Sequence, residues 1–152
     1  MSSMNELYQS VIIEHDRSPR NYRVLHGATH RAEGRNPLCG DEVAVALTVD
    51  DQDVIADVAF QGNGCAVSRA SASMMTVALR GKTTAQAREL FEQFHSLLVD
   101  GAERTPELGK LVAFEGVGAY PMRVKCATLA WHAVMAALDG EAQPVSTEAG
   151  DR

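Results

Sequence analysis

Three cysteines and one aspartate sit where a backbone would present them to an ion or a substrate. Cys39 lies in the loop Asn36-Pro37-Leu38-Cys39-Gly40-Asp41, just ahead of a β-rich run, with Asp41 two residues on. In an extended segment that spacing points both side chains to one side, so a thiolate and a carboxylate can share one ion. Cys65 follows Gly62-Asn63-Gly64 at the start of a helix-compatible stretch, where free amide groups and the helix dipole stabilise a thiolate. Cys126 stands a turn or so into the last helical pattern. Three thiolates and a carboxylate form a four-donor set of the kind tetrahedral Zn²⁺ prefers. The set lacks the paired C-x-x-C knuckle, and three cysteines that merely pack in a core would be ordinary in a chain of this size. An odd count excludes a complete internal disulfide framework, and in a reducing compartment all three start as thiols.

The elements that must position these groups are legible from periodicity. Leu7, Tyr8, Val11, Ile12 and His15 recur at helical spacing and form one apolar stripe, stopped by Ser18-Pro19-Arg20-Asn21. His15 continues that apolar side and reads as a hydrogen-bonded packing residue rather than a ligand. Residues 22–40 are polar, with room for a short edge strand near 29–32. Two β-rich runs, 43–49 and 54–60, flank Asp50-Asp51-Gln52-Asp53 and spell a hairpin. A helix is expected from Cys65 towards Gly81. A second is capped by Thr83 or Thr84, carries Ala87, Leu90, Phe91, Phe94, Leu97 and Leu98, and ends at Gly101.

Pro106 opens a short helical piece through Leu108, Leu111 and Val112, before the glycine turn Gly116-Val117-Gly118-Ala119-Tyr120. Pro121 suits the first position of the last helix. There Val124, Ala127, Trp131, Val134 and Leu138 make one stripe, with Cys126, Ala130, Ala133 and Ala137 beside it. Lys125, Thr128, His132 and Asp139 make a polar stripe, which places His132 and Lys125 at the surface. The order is that of an α+β fold: one domain over residues 1–140, with a small three-stranded antiparallel sheet packed against several helices. Residues 141–152 lack apolar periodicity and are expected to form a flexible tail.

Composition narrows the class. At 152 residues with 45% hydrophobic and 22% charged residues, the chain can build a core without staples and is expected to be soluble and globular. A formal charge of −6 argues against nucleic acid as a partner. No basic n-region, apolar leader or membrane-length apolar run is seen, so a cytoplasmic, non-membrane protein is expected.

The three cysteine stretches carry a resemblance. Asn36-Pro37-Leu38-Cys39-Gly40-Asp41, Gly62-Asn63-Gly64-Cys65-Ala66-Val67-Ser68-Arg69-Ala70-Ser71-Ala72-Ser73-Met74-Met75 and Arg123-Val124-Lys125-Cys126-Ala127-Thr128-Leu129-Ala130-Trp131 resemble the three cysteine motifs of the IscU/SufU (NifU N-terminal-like) iron-sulfur cluster assembly family. The Tyr8-x-x-Val11-Ile12-x-x-His15 run with Pro19-Arg20-Asn21 resembles that family's opening segment, so the likeness extends from about residue 7 to residue 138. Cluster scaffolds of the IscU type carry a histidine before the third cysteine, where this chain has Lys125. Residues 98–120 resemble an insertion of the SufU branch.

The resemblance implies a zinc-dependent sulfurtransferase that accepts persulfide sulfur from a SufS-type, pyridoxal-phosphate-dependent cysteine desulfurase, with a SufBCD-type cluster scaffold downstream. It implies zinc ligation by Cys39, Asp41, Cys65 and Cys126, with Cys39 receiving the sulfur. A loop cysteine beside Gly40 can move at little backbone cost, whereas Cys65 and Cys126 are anchored to helices. Four such donors leave a net charge of −2 around Zn²⁺, and Arg123 is the better placed of the two nearby cations to offset it, since the helix stripes turn Lys125 outward. The alternative in the same family is a scaffold that assembles an iron-sulfur cluster on the same ligands.

Overall fold

Strand β2 (Asp41–Val49) turns Asp41, Val43, Val45 and Leu47 to one face, all buried, while Glu42 and Ala44 point to the other and are exposed. This two-residue alternation puts a carboxylate on the core side of the sheet, at its first residue. The computed structural model describes residues 3–37, 40–140 and 145–146. Around β2 the chain runs α1 (Ser3–Arg17), β1 (His30–Asn36), β2, β3 (Ile55–Asn63), α2 (Ala66–Leu79), α3 (Thr84–Val99), a 3-10 segment (Pro106–Ala119), α4 (Pro121–Leu138) and the two-residue β4 (Val145–Ser146). The sheet order is β3-β2-β1-β4.

The antiparallel three-stranded sheet packed against helices expected from the sequence is present as β1–β3. β2 and β3 pair antiparallel from Glu42 opposite Asn63 to Val49 opposite Ile55. β1 differs from expectation. It runs from His30 to Asn36, longer than the short strand near 29–32, and lies between β2 and β4 rather than at an edge. Its inward positions are Ala32, Gly34 and Asn36, which are small or polar and give no apolar alternation to read. Val145–Ser146 pair parallel with Gly34 and Arg35; residues 141–144 and 147–152 of the expected tail lie outside the described residues.

One face of the sheet carries the core. α4 packs on β1 and β2, and α2 packs on α1, α4 and β3. α4 is buried on most of its circumference, because both of its stripes meet partners: Ala127, Ala130, Trp131, Ala133 and Val134 are all at most 2% exposed. Trp131 stacks on Phe94 of α3 with ring centroids 4.9 Å apart. Its Nε1–H donates to Ser71 Oγ at 3.2 Å, and that hydroxyl donates to the Ala127 carbonyl, so the indole is satisfied where it is buried.

Residues 106–119 form one interrupted 3-10 segment, longer than the short helical piece expected, and it absorbs most of the stretch that reads as a glycine turn. Leu108, Leu111 and Phe114 are its buried residues, together with Ala113. A spacing of three is the 3-10 period, where side chains three apart eclipse. At Gly118 a Cβ would stand 2.6 Å from the Leu98 carbonyl oxygen, so this segment lies against the end of α3 at a distance only glycine permits.

α1 and the segment after it are tied to α2 by buried polar contacts. His15 is 7% exposed, with Nδ1 2.7 Å from Ser73 Oγ, and the same hydroxyl accepts the Arg20 backbone N–H at 2.8 Å. Asn21 Nδ2 donates to Thr76 Oγ1 at 2.9 Å. Burial, and then the Arg20 charge, hold the His15 pKa below its usual 6.5. The unfolded chain therefore takes up this proton more readily than the folded chain. The stabilisation is complete above the unfolded pKa and is lost as pH falls through it towards the folded value. Between about pH 7.5 and about pH 5.5, the urea midpoint of wild type should fall more steeply than that of His15→Gln. Parallel falls would exclude His15 as the cause.

Candidate metal centre

The site is assembled by three element ends meeting at one edge of the core. Asp41 opens β2 opposite Asn36 of β1 and is 1% exposed. Cys65 is the N-cap of α2 in extended conformation, φ −72° and ψ 172°, and its sulfur accepts the Ser68 N–H at 3.4 Å. A cysteine sulfur thus does the work that a serine or aspartate oxygen usually does at this position. Cys126 lies in the second turn of α4 and is 4% exposed.

The Cys65 N–H donates to Asp41 Oδ1 at 3.0 Å, and Cys65 Sγ lies 3.8 Å from Asp41 Oδ2. One carboxylate oxygen is therefore occupied by the helix start, and the other faces the sulfur. A carboxylate oxygen of Asp41 and the sulfurs of Cys65 and Cys126 all lie within 4.8 Å of one another. Two sulfurs bound to one zinc at about 2.3 Å each can be at most about 4.6 Å apart, so the group needs little rearrangement to hold an ion. Cys39 lies outside the described residues; on its flanks the Gly40 N–H donates to the Asn36 carbonyl at 2.8 Å.

Electrostatics separate the two described thiols. The Cys126 thiol donates a hydrogen bond to Cys65 and lowers the Cys65 pKa, assisted by the N–H groups of Ser68 and Val67 and opposed by burial and Asp41. The same hydrogen bond, with burial and the Asp41 charge, raises the Cys126 pKa. The two thiols titrate as a pair, and the free N–H groups at the helix N-terminus favour negative charge on Cys65 over Cys126.

Other residues shape this pocket in ways that sequence reading did not assign. A Cβ at Gly64 would stand 3.0 Å from both Asp41 Oδ1 and Ser68 Oγ. At Gly62, where φ is 153°, a Cβ would come within 2.1 Å of the Glu42 carbonyl oxygen. The two glycines let β3 and the α2 start close over Asp41. Tyr22 fixes the same strand end: its hydroxyl donates to the Gly62 carbonyl at 2.8 Å and accepts the Gly62 N–H at 3.2 Å. The glycine pair before Cys65 was the available signal; nothing local marks Tyr22, forty residues away.

The remaining candidates fall elsewhere. The Nδ1 of His15 is engaged by Ser73. His132, expected at the surface, is half-buried, with its ring edge-on to Phe91 at 5.1 Å and 6.1 Å from His95. The polar stripe of α4 is covered there by the aromatic face of α3. Of the two cations near Cys126, Arg123 is exposed and Lys125 is half-buried, the reverse of the outward position expected for Lys125.

Residues 7–139 match the family model of the NifU-like N-terminal domain. The chain belongs to this family. It is 42% identical over 141 residues to the iron-sulfur cluster assembly scaffold protein IscU of Streptococcus pyogenes serotype M1, covering 91% of this chain and 86% of that protein. It is 38% identical over 135 residues to the zinc-dependent sulfurtransferase SufU of Bacillus subtilis strain 168, covering 88% of this chain and 90% of that protein. The crystal structure of FiSufU from Fervidobacterium islandicum AW-1 superposes with a TM-score of 0.81 at 35% identity, covering 88% of this chain and 98% of that one. As a NifU-like N-terminal domain, the chain shares its architecture with proteins named for both scaffolding and sulfur transfer. Among the described residues no helix is long and apolar enough to cross a membrane.

Proposed function

We propose that this NifU-like domain is a zinc-dependent sulfurtransferase of iron-sulfur cluster assembly, which accepts persulfide sulfur on Cys39 from a SufS-type, pyridoxal-phosphate-dependent cysteine desulfurase. The observation that carries this reading is the convergence of the Asp41, Cys65 and Cys126 donor atoms within 4.8 Å, with a third thiol only two residues before Asp41. The donor set fits zinc: sulfur ligands with one carboxylate suit a borderline ion in tetrahedral geometry. Gly64 leaves room beside the carboxylate that any side chain would fill.

Cys39, Asp41, Cys65 and Cys126 would hold the ion. Zinc when bound keeps its ligating thiols deprotonated and has no redox chemistry of its own. The protein's own part is positioning. The Cys65 N–H and the α2 start fix the carboxylate, and the two helical cysteines stay rigid on packed elements. Gly40, with φ 77°, gives the Cys39 loop backbone freedom. In the transfer step the Cys39 thiolate attacks the outer sulfur of the donor persulfide. The sulfur–sulfur bond of the donor breaks, the donor cysteine leaves as thiolate, and Cys39 becomes the persulfide with no net oxidation. A SufBCD-type scaffold in the same cytoplasmic compartment is the downstream acceptor in this reading.

Similarity to the Streptococcus scaffold protein favours a second reading, in which the same ligands assemble a cluster, since thiolates bind iron-sulfur centres readily. Lys125 supports the first reading, because it stands where scaffold-type members carry a histidine. Elemental analysis and a visible spectrum of anaerobically purified protein separate the two. About one tightly held zinc per chain and a colourless solution are expected. Iron with acid-labile sulfide and a coloured spectrum would put the scaffold reading in its place.

A further inference from the structure

A cavity of about 220 Å³ lies between the end of α1, the second half of α2 and the start of the 3-10 segment. Its walls are apolar over Met74, Ala78, Leu108 and Leu111, and Val77, 53% exposed, also lines it. Set into these walls are Lys82 and Lys110. The chain carries only three lysines, against eleven arginines, and a net charge of −6, so two lysines on one small cavity form a local concentration of mobile positive charge. Neither makes an ion pair among the described residues. Glu107 is the one carboxylate on the lining, so the cavity is cationic on balance.

His15 adds a polar ring to the lining. Its Nδ1 lies 2.7 Å from Ser73 Oγ, which also accepts the Arg20 N–H, so that nitrogen is engaged on the α2 side. The ring lines the cavity. Two lysines and an imidazole lining a cavity with apolar walls are complementary to an anion that carries a hydrocarbon body. The volume is below the roughly 300–1,000 Å³ of sites for drug-sized ligands, so the body must be short.

We propose that this cavity binds a small monocarboxylate with an apolar body, its carboxylate held by Lys82 and Lys110 and its hydrocarbon seated on Met74, Ala78, Leu108 and Leu111. The site is independent of the metal centre, and its failure would leave the sulfur-transfer reading intact. The probe is hexanoate, titrated into the full-length ¹⁵N-labelled protein and followed by amide shifts. Acetate supplies the charge without the body, and hexanol the body without the charge. Saturable shifts centred on Ala78, Leu108 and Lys110 are expected for hexanoate, with each control at least about fivefold weaker. The double variant Lys82→Ala/Lys110→Ala, which removes two side chains with no structural ion pair, should weaken hexanoate about tenfold or more. The proposal is overturned if hexanoate gives no saturable shift, if hexanol matches it, or if the double variant binds it as wild type does.

Discussion

Asp41→Ala is expected to lower zinc affinity by about 10²–10³-fold, more than the 10–100-fold typical of losing an outer-shell partner. Competition with a chromogenic chelator measures it. The proposed site gives Asp41 two separable tasks. Oδ1 accepts the Cys65 N–H at 3.0 Å, which holds the start of α2, and Oδ2 faces Cys65 Sγ at 3.8 Å, the side of the proposed ligand role. Asp41→Asn separates them, since its amide oxygen can still accept from Cys65 while the negative charge and the strong ligand oxygen are gone. Folding stability should therefore be kept in the Asn variant and reduced in the Ala variant, whereas zinc affinity should collapse in both. An Asn variant with wild-type affinity would show that Asp41 organises the loop and does not bind the metal.

The two tasks explain why only part of the site was legible. That Asp41 could share an ion with a neighbouring thiol followed from its two-residue spacing after Cys39; that it opens the buried alternation Asp41, Val43, Val45, Leu47 is shown by the fold. The placement of Cys65 at a helix start followed from Gly62-Asn63-Gly64 and the small residues after it. What no local pattern reported is that β2, α2 and α4 bring their ends together, because that depends on α4 lying across β1 and β2 while packing on α2. Family resemblance supplied the grouping that periodicity could not. The supporting contacts of Tyr22 and Ser68 were invisible for the same reason: each is a long-range or cap interaction defined by the folded backbone.

The elements that departed from expectation did so where side-chain pattern and backbone need part company. β1 presents Ala32, Gly34 and Asn36 to the core side and Arg31, Glu33 and Arg35 to solvent, so its strand character comes from pairing with β2 rather than from apolar alternation. Residues 106–119 look like a broken helix followed by a turn, because three glycines and a period of three do not fit an α-helical template. Packing against α3, with Gly118 at the Leu98 carbonyl, selects the tighter helix. α4 conceals its third stripe because the aromatic ring of Phe91 covers His132, a contact between two helices that neither sequence segment announces.

Cys39→Ala is expected to abolish sulfur acceptance while sparing most of the metal, and this combination distinguishes a working thiol from a structural ligand. Incubated with a SufS-type desulfurase and cysteine, wild-type protein should gain the mass of one sulfur atom on the Cys39 peptide. The variant should gain none, and desulfurase turnover should lose its stimulation by about 10³-fold or more, the scale seen when a nucleophile is removed. Zinc should remain, more weakly held, because Asp41, Cys65 and Cys126 stay fixed by β2, α2 and α4 and a water can complete the tetrahedron. Cys126→Ser serves as the contrast: it removes a ligand from a rigid helix, so metal and transfer should be lost together. If Cys39→Ala keeps both zinc and full stimulation, the metal only holds the fold, and the sulfur must travel by a thiol other than Cys39. If Cys39→Ala and Cys126→Ser behave alike, losing zinc and transfer in step, Cys39 is one ligand among equals and the freedom given by Gly40 has no role in the chemistry.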